Sequence, residues 1–281
     1  MSLNSGTLWI VATPLGNPGD LSPRAREVLG SAHGILAEDT RKTGALFSRC
    51  GVKAAAFTSF HDHNEQSRLP QVLAWLKEGR NLALVSDAGT PLLSDPGYRL
   101  VRACRNEGIP VSPIPGPSAP LAALSASGLP PHPFVFLGFA PRKASEREAL
   151  FAPYAALPAT LIFFERKDRL SATLQSAFKV LGTREACVAR ELTKPYEEFL
   201  FFPLEEYAAL PDLLGEITVI LGPPSALKRS PLQEVDRVLK DEAAQGGRRK
   251  DAVQRAQERL AGWSAKELYG RLCDIGTGEE P

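Results

Sequence analysis

Cysteine is sparse and scattered in this chain. Cys50, Cys104, Cys187 and Cys273 stand far apart and form no C-x-x-C pair, which argues against a zinc site and a disulfide scaffold and for a reducing cytoplasm. Excess charge of one sign is missing too: 33 Lys and Arg against 32 Asp and Glu leave a formal net charge of +1. Bulk electrostatics therefore do not announce a nucleic-acid binder, although a local basic patch suffices for one. Long hydrophobic runs are lacking, since Leu8–Ala12 is too short for a signal core or a membrane span. Neither G-x-G-x-x-G nor G-x-x-x-x-G-K-[ST] occurs, so a Rossmann dinucleotide site and a P-loop both lose support. Internal repeats and low-complexity tracts are absent, and Met1–Ser5 reads as a disordered start or a cloning remnant.

What is present is ordinary globular material in unusual order. The chain has 281 residues, 43% hydrophobic and 23% charged, enough for two modest domains or one large one. Thr7–Ala12, Gly34–Ala37, Ala54–Thr58, Leu82–Val85 and Val111–Ile114 are predicted strands. Pro23–Leu29, Arg41–Arg49, Glu65–Glu78 and Gly97–Glu107 are predicted helices between them. That β-α rhythm implies a parallel sheet with crossover helices. The proline-rich turn Pro113–Pro117 marks a hinge. A second α/β block follows, with strands at Phe134–Phe139, Thr160–Phe164, Ala186–Ala189, Glu198–Phe202 and Ile217–Leu221. A hairpin ending in Glu198–Phe202 makes this sheet mixed. Leu232–Leu239, Lys250–Leu260 and Ala265–Leu272 read as three short helices, either a helix-turn-helix-like appendage or a bundle that packs on the second domain or a sister subunit. The expected fold class is thus α/β, two α/β domains (1–116 and 117–225) plus a small C-terminal helical domain (226–281).

Chemistry concentrates where predicted strands end. Leu82–Val85 is a short apolar run of buried-strand type, and it stops in Ser86-Asp87-Ala88-Gly89-Thr90-Pro91. In open α/β sheets ligands sit beyond the carboxyl ends of strands, and small side chains allow close approach. The bland alternative is a βα turn with a helix cap at Ser94 or Asp95. The first strand ends in Thr13–Ser22, a loop stiffened by prolines in which Asp20 or Ser22 can cap the next helix. Ala37–Lys42 carries paired acids, Glu38 and Asp39; Asp39 or Thr40 can cap the helix from Arg41, and in a cleft the pair can shift each other's proton affinity. His61 and His63 look like a metal cluster but cannot share one helix face, so a polar substrate-facing loop is the better reading. Pro115–Pro120 leads into a small-residue helix, Leu121–Ser127, and Phe163–Arg166 and Arg190–Lys194 lie at strand ends that can face the first domain across a cleft.

Several of these strings occur in a fixed order. T-P-L-G-N-x-G-D-L-S-x-R-A, A-E-D-T-R, F-H-x-H-N-E, S-D-A-G-T-P-x-x-S-D-P-G, P-I-P-G-P-S-A, G-F, F-x-E-x-x-x-R-L, R-E-L-T-K and G-E run from Thr13 to Glu216. The sequence resembles the bacterial 16S rRNA cytidine 2′-O-ribose methyltransferase family, which has the tetrapyrrole-methylase fold. The resemblance implies that two α/β domains clasp S-adenosylmethionine in the cleft between them. By similarity, Ser86, Asp87, Ala88, Gly89, Thr90 and Pro91 cradle the methionine part. Ser118 and Ala119 touch the cofactor at the hinge, Phe164, Glu165, Arg190 and Glu191 lie near the adenosine, and Pro14 lies at the cleft mouth. It also implies a homodimer that acts on a cytidine ribose of 16S rRNA in the small ribosomal subunit, at the decoding centre. Lys250–Val253 and Lys266–Tyr269 fit the family's C-terminal pattern.

A ribose hydroxyl is a poor nucleophile, whereas a sulfonium methyl is already activated. Alignment in a dry cleft removes most of the barrier, and a carboxylate or histidine can take the proton. Glu38, Asp39, His61, His63 and Asp87 are the candidates for that base, and the reaction needs no metal. Arg24, Arg41, Lys42, Arg142, Lys143, Arg248, Arg249 and Lys250 are candidate RNA contacts, each equally readable as a solvated surface charge. Three other readings stay open: a tetrapyrrole- or diphthine-type methyltransferase of the same fold, a nucleotide-binding oxidoreductase, and a non-catalytic RNA-binding factor.

Overall fold

The computed structural model describes residues 5–224 and 230–276. Most of the segment expected to be a disordered start (residues 1–4) and the expected boundary at 225/226 lie outside the described residues.

In the first domain the elements alternate: β1 (Leu8–Val11), α1 (Pro23–Ser31), β2 (Gly34–Ala37), α2 (Thr40–Cys50), β3 (Phe57–Ser59), α3 (Glu65–Lys77), β4 (Leu82–Val85), α4 (Tyr98–Asn106) and β5 (Val111–Ile114). The five strands pair in the order β3-β2-β4-β1-β5, all parallel. All four residues of β2 and of β4 are buried, because both sheet faces are covered. Ala83 and Val85 pack with Ile35, Leu29 and Phe47 on one face. Leu82 and Leu84 pack with Leu36, Val72, Leu76 and Leu100 on the other. This two-sided burial is why the run shows no polar alternation. The helix after β1 covers one face and the helix after β4 the other, so the adjacent ends of β1 and β4 form a crevice between diverging connections.

The second domain comprises α5 (Ala119–Ala126), β6 (Phe134–Phe139), α6 (Ala144–Phe151), β7 (Thr160–Arg166), α7 (Leu170–Leu181), β8 (Glu185–Arg190), β9 (Glu198–Pro203) and β10 (Glu216–Leu221). Its sheet runs β6-β7-β10-β8-β9. Only β6 and β7 pair in parallel; the other ladders are antiparallel, including the β8–β9 hairpin. The mixed sheet expected from the sequence is thus observed. Helices α6 and α7 cover one face through Phe151, Leu174 and Ala177, and α5 covers the other through Ala123 and Leu124 against Ile162, Cys187 and Ile220. Arg184 is fully buried. Its guanidinium donates to the carbonyls of Gly222 (2.9 Å) and Tyr154 (2.7 Å), joining the end of β10 to the segment after α6.

The helices α8 (Leu232–Ala244), α9 (Arg249–Arg259) and α10 (Ala265–Gly276) form a third unit with its own apolar cluster of Val235, Leu239, Val253, Ala256, Leu268 and Leu272. Buried Glu242 accepts from Arg255 (2.8 Å) and Arg259 (2.5 Å), fixing α8 against α9. A bidentate Arg271–Asp236 pair fixes α10 against α8.

The structure corrects three local expectations and decides between two alternatives in a fourth. Strand β3 starts at Phe57, not Ala54, because an edge strand begins where its partner β2 offers a ladder. Neither Ser94 nor Asp95 caps α4; Gly97 holds the N-cap position. Ser22, not Asp20, caps α1, accepting from the Ala25 N–H at 3.1 Å. The crossover helices α6 and α7 were not anticipated, although Leu170, Leu174, Ala177 and Leu181 in α7 carry a helical apolar stripe.

Candidate active site

The loops after β1 and β4 are fastened to one another. Thr13 and Gly89 exchange two backbone hydrogen bonds, at 2.9 and 3.0 Å, and Ser86 Oγ donates to the Gly89 carbonyl at 3.2 Å. Gly89 has a φ of 80°, and a β-carbon there would come within 3.1 Å of Leu15 Cδ2, so glycine is required for both conformation and space. Thr90 Oγ1 donates to the Pro117 carbonyl at 2.9 Å, which ties this loop to the segment that enters α5.

Across the gap, the second domain presents the ends of β7 and β10. Between the two domains lies a cavity of about 730 Å³, walled by Asp87–Thr90, Ser118 and Ala119 from one direction and Phe164, Glu165, Ile217 and Thr218 from the other. The volume falls in the range of small-molecule and cofactor sites. A strap joins the two domains beside it: the Asn17 N–H donates to Thr193 Oγ1 at 3.1 Å. Glu191 and Thr193 both have positive φ (51° and 64°), an uncommon conformation for residues with side chains that marks a segment held by its surroundings.

Among the described residues that line the cavity, two buried polar atoms are left without partners. Ser118 is 9% exposed, and its hydroxyl lines the cavity with no hydrogen bond. Asp87 Oδ1 is likewise buried and unpaired, while Oδ2 accepts from Lys42 Nζ at 2.8 Å. Orphaned buried groups cost free energy, and both of these are available to a polar ligand.

The carboxylates divide by environment. Asp39 accepts from the backbone N–H groups of Arg41 and Lys42, and the Lys42 and Arg41 amides hold its carboxyl below the usual carboxylate range. It is the cap of α2, whereas Glu38 lines the cavity. Burial, then the negative charges of Asp87 and Asp62, push the Glu38 carboxyl up. Asp95 also lines the cavity. Burial first, then Glu38, Asp87 and Asp62, push its carboxyl up to about 7.

Of the residues carried over by resemblance, Asp87, Ala88, Gly89, Thr90, Ser118, Ala119, Phe164 and Glu165 line the cavity. Pro14, Ser86 and Pro91 are buried behind it and are not among the lining residues. Arg190 pairs with Glu198 at 2.7 Å, and Glu191 accepts from Lys194 at 3.0 Å and from the Glu216 N–H at 3.0 Å. Both brace the strap rather than the wall. His61 and His63 stack edge to face, 6.0 Å between ring centres, outside the lining. Among the described residues, no group of three or more His, Cys, Asp or Glu could hold a metal ion. Sequence reasoning missed Asp95, Phe139 and Thr218 as cavity residues; G-F and S-D-P-G were quoted as motifs, and their position in the series was the available signal. Arg24, Arg41, Lys42, Arg142, Lys143, Arg248, Arg249 and Lys250 are all exposed, with Lys42, Lys143 and Arg248 engaged by Asp87, Glu146 and Asp251.

Comparison with known proteins agrees with this architecture. Residues 7–208 match the model of the Tetrapyrrole (Corrin/Porphyrin) Methylases. The chain is 44% identical over 273 residues to "Ribosomal RNA small subunit methyltransferase I" of Mesorhizobium japonicum, covering 95% of this chain and 92% of that protein. It is 49% identical over 207 residues to the protein of the same name from Escherichia coli O157:H7, covering 73% and 72%. Solved structures share the fold at low identity. CobJ methyltransferase has a TM-score of 0.62 at 20% identity, covering 80% of this chain and 97% of that one. A Thermus thermophilus uroporphyrin-III C-methyltransferase complexed with S-adenyl homocysteine has a TM-score of 0.55 at 21% identity, covering 77% and 97%. The chain therefore belongs to the tetrapyrrole methylase superfamily and, within it, to the ribosomal RNA small subunit methyltransferase I family.

Proposed function

We propose that this protein methylates the 2′-oxygen of a cytidine ribose in the decoding centre of small-subunit 16S rRNA, with S-adenosylmethionine as donor. The observation that carries the reading is the 44% identity across nearly the full length of a ribosomal RNA small subunit methyltransferase.

The cavity fits the donor. Its small-residue loop admits a ligand close to the backbone, and the unpaired Ser118 hydroxyl and Asp87 Oδ1 offer partners for an amino-acid end. Phe164, Ile217 and Leu15 offer apolar surface for a base. When bound there, S-adenosylmethionine supplies a sulfonium-activated methyl group. The protein's own part is to hold, orient and dry. The Thr13–Gly89 rung and the Thr90–Pro117 bond fix the loop before any ligand arrives, which lowers the entropy cost of binding. The Asn17–Thr193 strap ties the two domains together beside the cavity.

The RNA is expected to dock through the exposed cations Arg24, Arg41, Lys42, Arg142 and Lys143, with Arg248–Lys250 on the helical unit adding phosphate contacts. The active assembly is a homodimer in this reading; exposed Leu121 and Phe201 on the second domain are apolar surface available for burial. No described helix is long and apolar enough to cross a membrane, and an rRNA substrate places the enzyme in the cytoplasm.

Mass mapping of 16S rRNA from cells with and without the protein tests the function. A ribose methyl on a decoding-centre cytidine that disappears with the gene supports it, and an unchanged pattern refutes it. Light scattering on the purified protein tests the dimer.

A further inference from the structure

We propose that the Phe139 ring is the platform on which the base of the target nucleotide stacks, a role that rests on the rRNA methylation reading above. The 2′-oxygen sits on the ribose carbon next to the one that carries the base. An oxygen delivered to a donor between the two domains therefore brings its base into the same gap. A base inside a helix cannot follow, so the target nucleotide leaves the stack and loses its neighbours' faces. Unstacked bases recover that loss on aromatic side chains.

Phe139 is placed for this work. Among the described residues, two aromatic side chains line the cavity, Phe139 and Phe164. Phe164 is hemmed in by the rings of Phe136 and Phe139, at 5.0 and 5.2 Å between centres. Phe139 is 55% exposed, so it stands at the mouth with ring surface left for a ligand. The backbone of β6 aims it there. Phe136 pairs with Ile162 and Phe139 with Phe164 in the parallel ladder, so Leu137 and Gly138 together oppose the single residue Phe163. Gly138 accommodates the bulge at a φ of 68°. Side chains alternate along a strand, and one extra residue moves those after it to the other face. The bulge puts Phe139 on the face of Phe136, and both rings accordingly meet Phe164. Without it, Phe139 would turn toward the face that α6 and α7 cover through Phe151 and Leu174. The ladder resumes at once, the Ala140 N–H donating to the Phe164 carbonyl at 3.3 Å.

Cations for the adjoining phosphates follow directly. Arg142 and Lys143, just beyond the end of β6, are both exposed. Buried Arg147 holds their backbone, its guanidinium donating to the Arg142 carbonyl at 2.6 Å and to Ser176 Oγ at 3.0 Å. One rigid segment thus presents an aromatic ring and, beside it, positive charge, the combination that binds unpaired nucleic acid. From the first domain, exposed Leu93 lines the same cavity, and its neighbour Ser94 lies against Gly138, where a β-carbon would come within 3.3 Å of Ser94 Oγ. The platform therefore sits where the two domains meet. Every base has a π-face, so Phe139 positions the nucleotide and does not by itself select cytosine.

The experiment measures kcat and KM for methyl transfer from S-adenosylmethionine to unmethylated small ribosomal subunits in wild type, Phe139→Ala, Phe139→Leu and Phe139→Trp. Calorimetry of S-adenosylmethionine binding and light scattering run beside it. Phe139→Ala and Phe139→Leu are expected to lose roughly 5- to 150-fold in kcat/KM, and Phe139→Trp to hold the wild-type value. Donor affinity and oligomeric state should not change. Phe139→Leu keeps apolar bulk against Phe164, so its loss reads the ring face and not the filling of space, a result that stands even where Phe139→Ala does not fold. Wild-type kcat/KM in Phe139→Leu overturns the platform while leaving rRNA methylation intact. A matching fall in donor affinity, or a smaller scattering species, also overturns it, because the ring then serves the donor or a subunit contact. A wild-type enzyme that places no ribose methyl on 16S rRNA overturns the reading beneath it.

Discussion

Removing the Arg169 guanidinium is the sharpest test of how the second domain shapes its wall of the cavity. Glu165 points back from the end of β7 into α7, its side chain fully buried. Its carboxylate accepts from Arg169 Nη2 (2.5 Å), Thr173 Oγ1 (2.5 Å) and the Arg166 N–H (2.7 Å). Arg169→Met keeps the volume and deletes the cation, leaving a buried anion with two neutral donors. Breaking a buried pair costs about 3–5 kcal/mol. The Arg169 side chain retains 18% exposure, which lets water recover part of that, so the lower end, about 3 kcal/mol, is expected. With each kcal/mol worth about 2–4 °C in a unit of this size, melting should fall by roughly 6–12 °C. Neutralising the acid as well, in Arg169→Met/Glu165→Gln, should recover about 1–3 kcal/mol by relieving the orphaned charge. Differential scanning calorimetry and urea titration measure both. An unchanged melting temperature in the single variant, or strictly additive losses in the double, refutes the claim that this carboxylate depends on its cation. Cofactor affinity should fall in the same variant, because Glu165 is part of the cavity wall.

Other expectations follow the same logic. Ser118→Ala removes an unsatisfied buried hydroxyl, so thermal stability should hold or rise while calorimetric affinity for S-adenosylmethionine drops; a loss of stability with full affinity would contradict the site. Arg249→Gln/Lys250→Gln should leave methyl-donor binding intact and flatten the log–log salt dependence of RNA binding by roughly 1 to 2 units. Asp236 and Glu242 are held below the usual carboxylate range by hydrogen bonds from Arg271 and from Arg255 and Arg259. Their stabilisation of the helical unit is therefore complete above about pH 4 and disappears as pH falls through the lowered values; circular dichroism on acidification should show that order.

Most of the first domain was legible from local pattern. Leu82–Val85 announced a strand buried on both faces, and Ser22 and Asp39 announced helix starts, because these features depend on neighbours in sequence. The loop from Asp87 to Thr90 was legible for the same reason. Strand β3 was misplaced since three residues of edge ladder take their start from β2, not from their own propensity. Asp95 read as a cap because its character is set by Asp87 in its own loop and by Glu38 and Asp62, which arrive from two other strand ends. Phe139 and Thr218 became visible as wall residues only once the β6–β7 and β10–β7 registers placed both opposite Phe164. Arg190 and Glu191, expected near the adenosine, enter the ion pairs of the hairpin turn, which no local pattern announces.

The rung between Thr13 and Gly89 has a consequence for how this scaffold can diversify. Two turns from neighbouring strands gauge each other's reach, so neither tolerates an inserted or deleted residue without dislodging its mate. Length polymorphism among homologues should gather in turns without such a tie, as in the connection from α2 to β3, which exchanges no pair of backbone hydrogen bonds with another turn among the described residues.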